Sequence, residues 1–520
     1  MTALRIAAVA GAAVAMALAE LRWLRVAQRE HYLPGAAGRF ALRWWRQDPL
    51  TLGSLLLALA GAGLAWHWPG AGLATALVVA AGPPGLGLRG RTTPLAWTRR
   101  LRTLAAVVTA LEAAVLVVGV LAGAGPAVAA AVAVVVPLLV DLGCAITGPF
   151  ERAAATRHVR RAEQRLRLVA PTVVAITGSY GKTGTKGYVA HLLAGSKTVV
   201  ASPASYNNRA GLARAVNENL ADGTDVFVAE MGTYGPGEIA DLCSWLLPDI
   251  AVITAIGPVH LERFGSEDRI AAAKAEILEG AGVAVLNVDD PRLAALATEA
   301  EEKGRRVRRV SATADAEVRV SEEADGLVLF IDGVERARAP LGARPGNAAC
   351  AVAVALEAGV GVEEIGRRFP FLPTAPHRLE PGRGADGPLV LDDTYNANPA
   401  GARVALRALE TMAPPAGRRV VVTPGMVELG ARQVEENTAF ARAVAAVADD
   451  LVVVGRTNRR ALLRGAQEGH GSWEKGHGSR EKALSVEVVD RRPDAVAWVR
   501  RHLGPHDIVL YENDLPDHYP

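Results

Sequence analysis

Five apolar stretches crowd the start of the chain, at residues 6–19, 50–68, 71–88, 104–124 and 127–146, and beyond them apolar runs shorten to the few residues of a buried strand. Crossing a bilayer takes about 20 mostly apolar residues, so the last two stretches suffice, the first is short and the third is interrupted by Pro83-Pro84. Residues 1–150 therefore read as an α-helical membrane domain of four or five spans. Six arginines lie between positions 22 and 46, five between 89 and 102 and six between 152 and 167, whereas the connections Pro69-Gly70 and Gly125-Pro126 carry no charge. Arginine and lysine stay on the cytoplasmic side, which puts all three basic segments inside and makes the spans between them two tight hairpins. Glu112 and Asp141 fall within spans, where an ionisable side chain is costly and becomes a functional candidate.

A chain of 520 residues exceeds one compact core and divides into about three domains. After Pro149 charges intersperse with short apolar runs, the pattern of an α/β fold. A basic linker (151–168) leads to a central domain (169–375) and a C-terminal domain (376–520). The net charge of +3 is small and much of the positive charge flanks apolar runs, so it speaks for membrane topology, with no nucleic-acid signature. Cys144, Cys243 and Cys350 are far apart and form no CxxC pair, which reads as three buried thiols.

Val173 to Thr177 reads as a buried strand, Thr183 to Ala194 has helical composition, and Gly178-Ser179-Tyr180-Gly181-Lys182-Thr183 lies between them. A strand, a glycine loop and a helix N-terminus in that order present free backbone N–H groups to an anion. This is P-loop logic: Lys182 would neutralise phosphate and the Thr183 hydroxyl would ligate Mg²⁺, although only two residues separate Gly178 from Gly181. Asp225 to Glu230 is a strand ending in a carboxylate, and Asp249 to Thr254 another leading to His260. The carboxyl ends of parallel strands line the ligand crevice, so Glu230 could hold Mg²⁺ directly or through water and His260 a second metal. Taken alone, His260 is more often an ordinary polar residue and Lys274 a solvated lysine on a helix.

These pieces, with SYNNRAG at 205–211, AEMGTYGPGEIADL at 229–242, ITAIGPVHLERFGSEDRIAAAKAEI at 253–277, LNVDDP at 286–291, LDDTYNANP at 391–399 and GMVELG at 425–430, resemble the Mur ligase family, most closely its MurF branch. The resemblance runs from about 170 to 512. It implies ATP-dependent amide-bond formation through an acyl phosphate, in peptidoglycan precursor synthesis, by a P-loop central domain and a Rossmann-like C-terminal domain. Gly178, Ser179, Gly181, Lys182, Thr183, Asn287, Asn347, Arg378 and Asp393 would bind ATP. Thr183, Glu230, His260 and Lys274 would serve two Mg²⁺ ions, with Lys182, His260 and Lys274 as the catalytic set. Lys274 stands where many family members carry a carbamylated lysine, a change that turns a cation into an anion able to support a metal. Asn207 and Asn208 would face the acyl substrate, and Asn396 and Asn398 the incoming amine. Each asparagine pair also reads as turn residues, Asp393 as a strand-end cap and Arg378 as a surface ion pair.

In the C-terminal lobe strand-like runs at 420–423, 451–454, 486–489 and 508–511 alternate with helical segments, a doubly wound pattern. Residues 371–381 read as the hinge and the Gly-His-Gly-Ser repeats of 468–482 as a solvated insertion; the acidic, aromatic end 511–520 suggests no mechanism. The membrane domain stands where MurF-type ligases carry a UDP-sugar-binding domain, so the acid partner is a soluble or a lipid-linked cell-wall precursor. The expected location is the bacterial cell membrane, multi-pass, with the lipid bilayer as a partner and the catalytic domains cytoplasmic. Two other readings stand beside this one: a related amide ligase acting on a lipid-linked precursor or a polyamide, and a nucleotide-driven membrane transporter or sensor. The last expects Glu112 and Asp141 to matter more than Lys274.

Overall fold

The structure is a computed structural model describing all residues except 1, 48, 89–94, 204–205, 324–325, 341–342, 374–379, 384–386, 395–397, 472–483, 516–517 and 520. The chain forms two compact units, one of residues 1–154 with 455–457 and 514–520, the other of 155–454 and 458–513.

The first unit contains α1 (Thr2–Arg29), α2 (Ala36–Trp45), α3 (Pro49–Leu64), α4 (Pro69–Ala81), α5 (Arg99–Leu121) and the start of α6 (Gly125–Val169). Among the described residues α1, α5 and α6 are long and apolar enough to cross a membrane. The short apolar stretch at 6–19 belongs to a helix of 28 residues, long enough for a crossing, because that helix continues through Arg29. The two stretches at 50–68 and 71–88 go the other way, folding as helices of 16 and 13 residues, below the length one crossing needs. Gly82, with φ of 66°, ends α4 just before Pro83-Pro84, which cannot continue a helix. Among the described residues, three helices meet the length requirement and two apolar ones are shorter. The basic linker is helical, because α6 runs on through it to Val169.

Buried polar groups in this unit join its helices. Arg22 donates to the carbonyls of Val79 (3.3 Å), Ala80 (2.6 Å) and Ala81 (3.4 Å), closing the C-terminus of α4. Asp141 accepts from the amides of Ala37 (3.0 Å) and Gly38 (2.8 Å), so its carboxylate caps the N-terminus of α2. Glu20 accepts from the Thr109 hydroxyl at 3.1 Å, and Glu112, buried, lies one turn further along α5. The chain end has a place here too. The His518 carbonyl accepts from Trp44 Nε1 at 2.8 Å, His518 Nε2 lies 2.9 Å from Glu30 Oε1, and Phe40 packs against the His518 and Tyr519 rings.

The second unit is built on two sheets. The first contains β1 (Thr172–Thr177), β2 (Val199–Ala201), β3 (Val226–Glu230), β4 (Ile250–Ile253), β5 (Val283–Asn287), β6 (Arg306–Ser311), β7 (Val318–Glu323), β8 (Gly326–Ile331) and β9 (Val334–Ala339). Their order is β2-β3-β1-β4-β5-β6-β7-β8-β9, parallel up to β7 and antiparallel for the last two pairings. β3 is buried along its whole length, as a strand covered on both faces must be. The second sheet contains β10 (Glu380–Arg383), β11 (Leu389–Asp393), β12 (Arg419–Thr423), β13 (Asp450–Val454), β14 (Ser485–Val489) and β15 (Ile508–Glu512), in the order β10-β11-β15-β12-β13-β14. It is parallel except for β10 against β11. Around the first sheet lie α7 (Lys182–Leu193), α8 (Arg209–Asn219), α9 (Glu238–Leu246), α10 (Leu261–Phe264) and α11 (Glu267–Ala275). Since β1 is hydrogen-bonded to β3 and β4, the carboxyl ends of three central strands open beside one another. That juxtaposition positions the site.

Candidate active site

The loop after β1 turns on two glycines in left-handed backbone, Gly178 (φ 153°) and Gly181 (φ 82°). A Cβ on Gly178 would lie 2.0 Å from Thr254 Oγ1, and one on Gly181 2.2 Å from Asn347 Oδ1. Gly181→Ala adds a steric clash to an unfavourable φ, and we expect it to lower unfolding free energy by about 2 kcal/mol while weakening ATP binding. Denaturant unfolding and nucleotide titration check both effects. Loss of stability with unchanged affinity would separate the turn from the phosphate site.

Neighbouring segments hold the loop. Ser179 Oγ donates to the Gly257 carbonyl (3.1 Å), its amide donates to the Ala255 carbonyl (2.8 Å), and the Thr254 hydroxyl donates to the Tyr180 carbonyl. Asn287 Nδ2 donates to the Thr254 carbonyl at 3.2 Å, and the Gly181 geometry places Asn347 against the loop. The Lys182 ammonium donates to the Gly178 carbonyl at 2.8 Å, across the mouth of the turn.

Glu230 ends β3 beside the first turn of α7. Its Oε2 accepts from Thr183 Oγ1 at 3.0 Å and lies 3.0 Å from Lys186 Nζ, and its Oε1 faces Asn207 Nδ2 at 3.5 Å. Lys186 escaped sequence reasoning, although a lysine four residues after Lys182 occupies the same helix face and was the signal available. Glu230 and Lys186 are both buried.

Lys274 departs from the solvated lysine that its local sequence suggests. It is only 4 % exposed on α11, and among the described residues no carboxylate lies within ion-pair distance of it. Burial, reinforced by the nearby Lys182 charge, pushes its amine well below the usual lysine range. His260 takes left-handed backbone (φ 58°), sets Nδ1 on the Glu428 carboxylate and packs its ring against Tyr234, leaving Nε2 as the nitrogen available to a ligand. Among the described residues no three His, Cys, Asp or Glu side chains cluster as a metal cage. Mg²⁺ bound chiefly by nucleotide phosphates needs only one or two protein carboxylates, a role that the Thr183 hydroxyl and Glu230 suit chemically.

Other residues take local roles. The side-chain oxygen of Asn208 accepts from Gly211 N (2.9 Å) and that of Asn398 from Gly401 N (2.8 Å), so each is the N-cap of its helix. Asp393 ends β11, in register with Glu512 at the end of β15; burial and the Asp393 charge push the Glu512 carboxyl well above the ordinary range. Arg378, Asn396, the centre of the expected hinge and the 472–482 part of the insertion lie outside the described residues.

The arrangement defines a nucleotide-dependent ligase of two α/β lobes, and comparison with known proteins agrees. The model of the Mur ligase middle domain matches residues 176–342, and that of the Mur ligase, glutamate ligase domain, matches 377–511. A UDP-N-acetylmuramoyl-tripeptide--D-alanyl-D-alanine ligase of Mycobacterium tuberculosis is 35% identical over 375 residues, covering 65% of this chain and 69% of that protein. The like-named Escherichia coli protein is 32% identical over 271 residues, covering 50% of this chain and 59% of its own. A crystal structure of MurF from Acinetobacter baumannii superposes with a TM-score of 0.58 at 26% identity, covering 69% of this chain and 77% of that one. The chain belongs to the Mur ligase family. It is a MurF-like, ATP-dependent ligase of peptidoglycan precursor synthesis. The first family model begins at residue 176, after the apolar helices.

Proposed function

We propose that this chain activates the carboxylate of a cell-wall precursor as an acyl phosphate, joins it to the amine of a D-alanyl-D-alanine-like dipeptide, and receives the precursor on a lipid. The observation that carries the reading is the meeting of Thr183 with Glu230 beside a loop lysine and a buried Lys274. A carboxylate resists amines because oxide is a poor leaving group. Transfer of the γ-phosphoryl of ATP to the carboxylate oxygen gives an acyl phosphate, and the amine then attacks the carbonyl carbon, releases phosphate and loses a proton.

In this reading Lys182 and the loop amides of Ser179 to Thr183 neutralise and orient the phosphates. Thr183 and Glu230 hold Mg²⁺, which when bound supplies charge neutralisation on the transferring phosphoryl group. Lys274 suits carbamylation because burial and the Lys182 charge disfavour its protonated form; the amine nitrogen would attack carbon dioxide, form an N–C bond and release one proton. The resulting anion, with His260 Nε2, supports a second Mg²⁺. Asn287 and Asn347 face the nucleotide base, Asp393 the ribose, and Asn207 the acyl substrate. Arg378 and Asn396 complete the nucleotide and amine sides; Asn208 and Asn398 act through the helix starts that they cap.

Support for a lipid-linked acid is the set of three helices long and apolar enough to cross a membrane, ahead of the matched domains. The arginine-rich segments beside them favour a cytoplasmic ligase, where ATP is present. An anchored site would meet its lipid-linked substrate at a raised effective concentration. Detergent-purified chain given Mg-ATP, labelled D-alanyl-D-alanine and either precursor should favour the lipid-linked form by about tenfold or more. Efficient turnover of the soluble UDP-N-acetylmuramoyl tripeptide with none of the lipid-linked form would end this assignment. The transporter reading loses ground at Asp141, whose carboxylate caps α2.

A further inference from the structure

We propose that Lys186 is a positioning residue of the nucleotide site, holding Glu230 so that it takes the Thr183 proton on one oxygen and keeps the other for the metal. The proposal rests on the Mg-ATP reading of this site. Lys186 lies one turn beyond Lys182 on α7, and its side chain is 8% exposed against 4% for Glu230, so the pair is shielded from water. The Lys186 ammonium and the Thr183 hydroxyl meet the same oxygen, Oε2, each at 3.0 Å, while Oε1 faces Asn207.

Chemistry gives that division a purpose. A hydroxyl binds a cation through an oxygen lone pair, so its proton must point elsewhere, and Glu230 Oε2 receives it. With Oε2 taking two donors and Oε1 only the long 3.5 Å hydrogen bond from Asn207 Nδ2, Oε1 is the oxygen with room for the metal or for a water bound to it. A buried carboxylate without a partner is strongly destabilised, and the ammonium offsets that cost while fixing the side-chain rotamer. In this arrangement Lys186 acts through Glu230.

The sign of the effect separates this role from simple charge balance. If Lys186 were only a positive charge near a cation site, removing it would tighten metal binding. As a positioning group, its removal loosens binding. The test measures the affinity of the full chain in detergent for the non-hydrolysable analogue AMP-PNP, with Mg²⁺ and with chelator. The ratio of the two is the metal-dependent tightening. Lys186→Met should lose about tenfold of that tightening, in the range found for groups that orient metal ligands, with metal-free affinity little changed. Lys186→Arg should keep most of it. In a Glu230→Gln background the further change Lys186→Met should have no effect, since the two act as one unit.

Tightening in Lys186→Met equal to or greater than in the parent would overturn the proposal. So would a loss that persists in the Glu230→Gln background. Should Lys186→Met fail to fold, Lys186→Gln, which keeps a donor but not the charge, replaces it: it should lose part of the tightening, and tightening equal to or greater than the parent's would overturn the proposal. Absence of Mg²⁺-dependent tightening in the parent chain would instead fault the underlying nucleotide-site reading.

Discussion

Lys274→Ala should lower ligation by about a thousandfold, the scale of losing a preorganised charge at a phosphoryl-transfer centre, while AMP-PNP still binds. Millimolar formate or acetate should restore a measurable part of the rate. The small acid fills the space vacated by the lysine and supplies the carboxylate that a carbamate would have offered. Burial is the reason to expect this behaviour. Lys274 is 4 % exposed, among the described residues no acid pairs with it, and its amine is held well below ordinary lysine basicity by desolvation and by Lys182. A protonated lysine would be repelled from a site built for cations, whereas a carbamate belongs there. Unimpaired ATP-dependent ligation by the alanine variant would remove both the carbamate and the second metal from the proposal.

Lys182→Met should be comparably damaging, with ligation reduced by about a thousandfold and the fold intact. Its ammonium donates to the Gly178 carbonyl of its own loop. Nucleotide affinity and rate should fall together if, as proposed, the lysine contacts phosphate both before and during transfer. A circular-dichroism melt unchanged within a few degrees, beside lost turnover, is the expected pair of results. Retained turnover would mean that the loop binds phosphate through its amides alone.

The phosphate loop was legible because everything that makes it is local. A buried strand, two glycines and a helix start within a dozen residues fix where backbone amides point, whatever surrounds them. The strands ending at Glu230 and Thr254 were legible for the same reason, as short runs of β-branched and apolar residues. Lys274 was misread alone, because a lysine in an alanine-rich helix shows nothing about what packs on that helix. Lys186 was passed over because its partner Glu230 is 44 residues away in the chain and adjacent only through the pairing of β1 with β3. Asn208 and Asn398 show the converse: their turn-forming chemistry was the local signal, and the structure uses it for helix caps.

In the first unit, hydropathy located the apolar helices and arginines their expected sides, while the lengths of those helices differ: three are long enough to cross a membrane and two apolar ones are shorter, among the described residues. Hydropathy averages over a window, whereas helix length is decided by where Gly82 and the turn before Pro69 stop hydrogen bonding. Asp141 looked functional because a carboxylate among apolar residues is costly; the free amides at the N-terminus of α2 offset that cost, and they belong to a helix about a hundred residues earlier. By itself the sequence determined the membrane-like start, the α/β remainder, the phosphate loop and the family, since these depend on periodicity and on short ordered motifs. Tertiary structure alone decided which helices reach full span length, that Lys274 is buried, and that Lys186 holds Glu230. Those depend on burial and on contacts between distant segments, where removal from water sets the charge and orientation of a side chain.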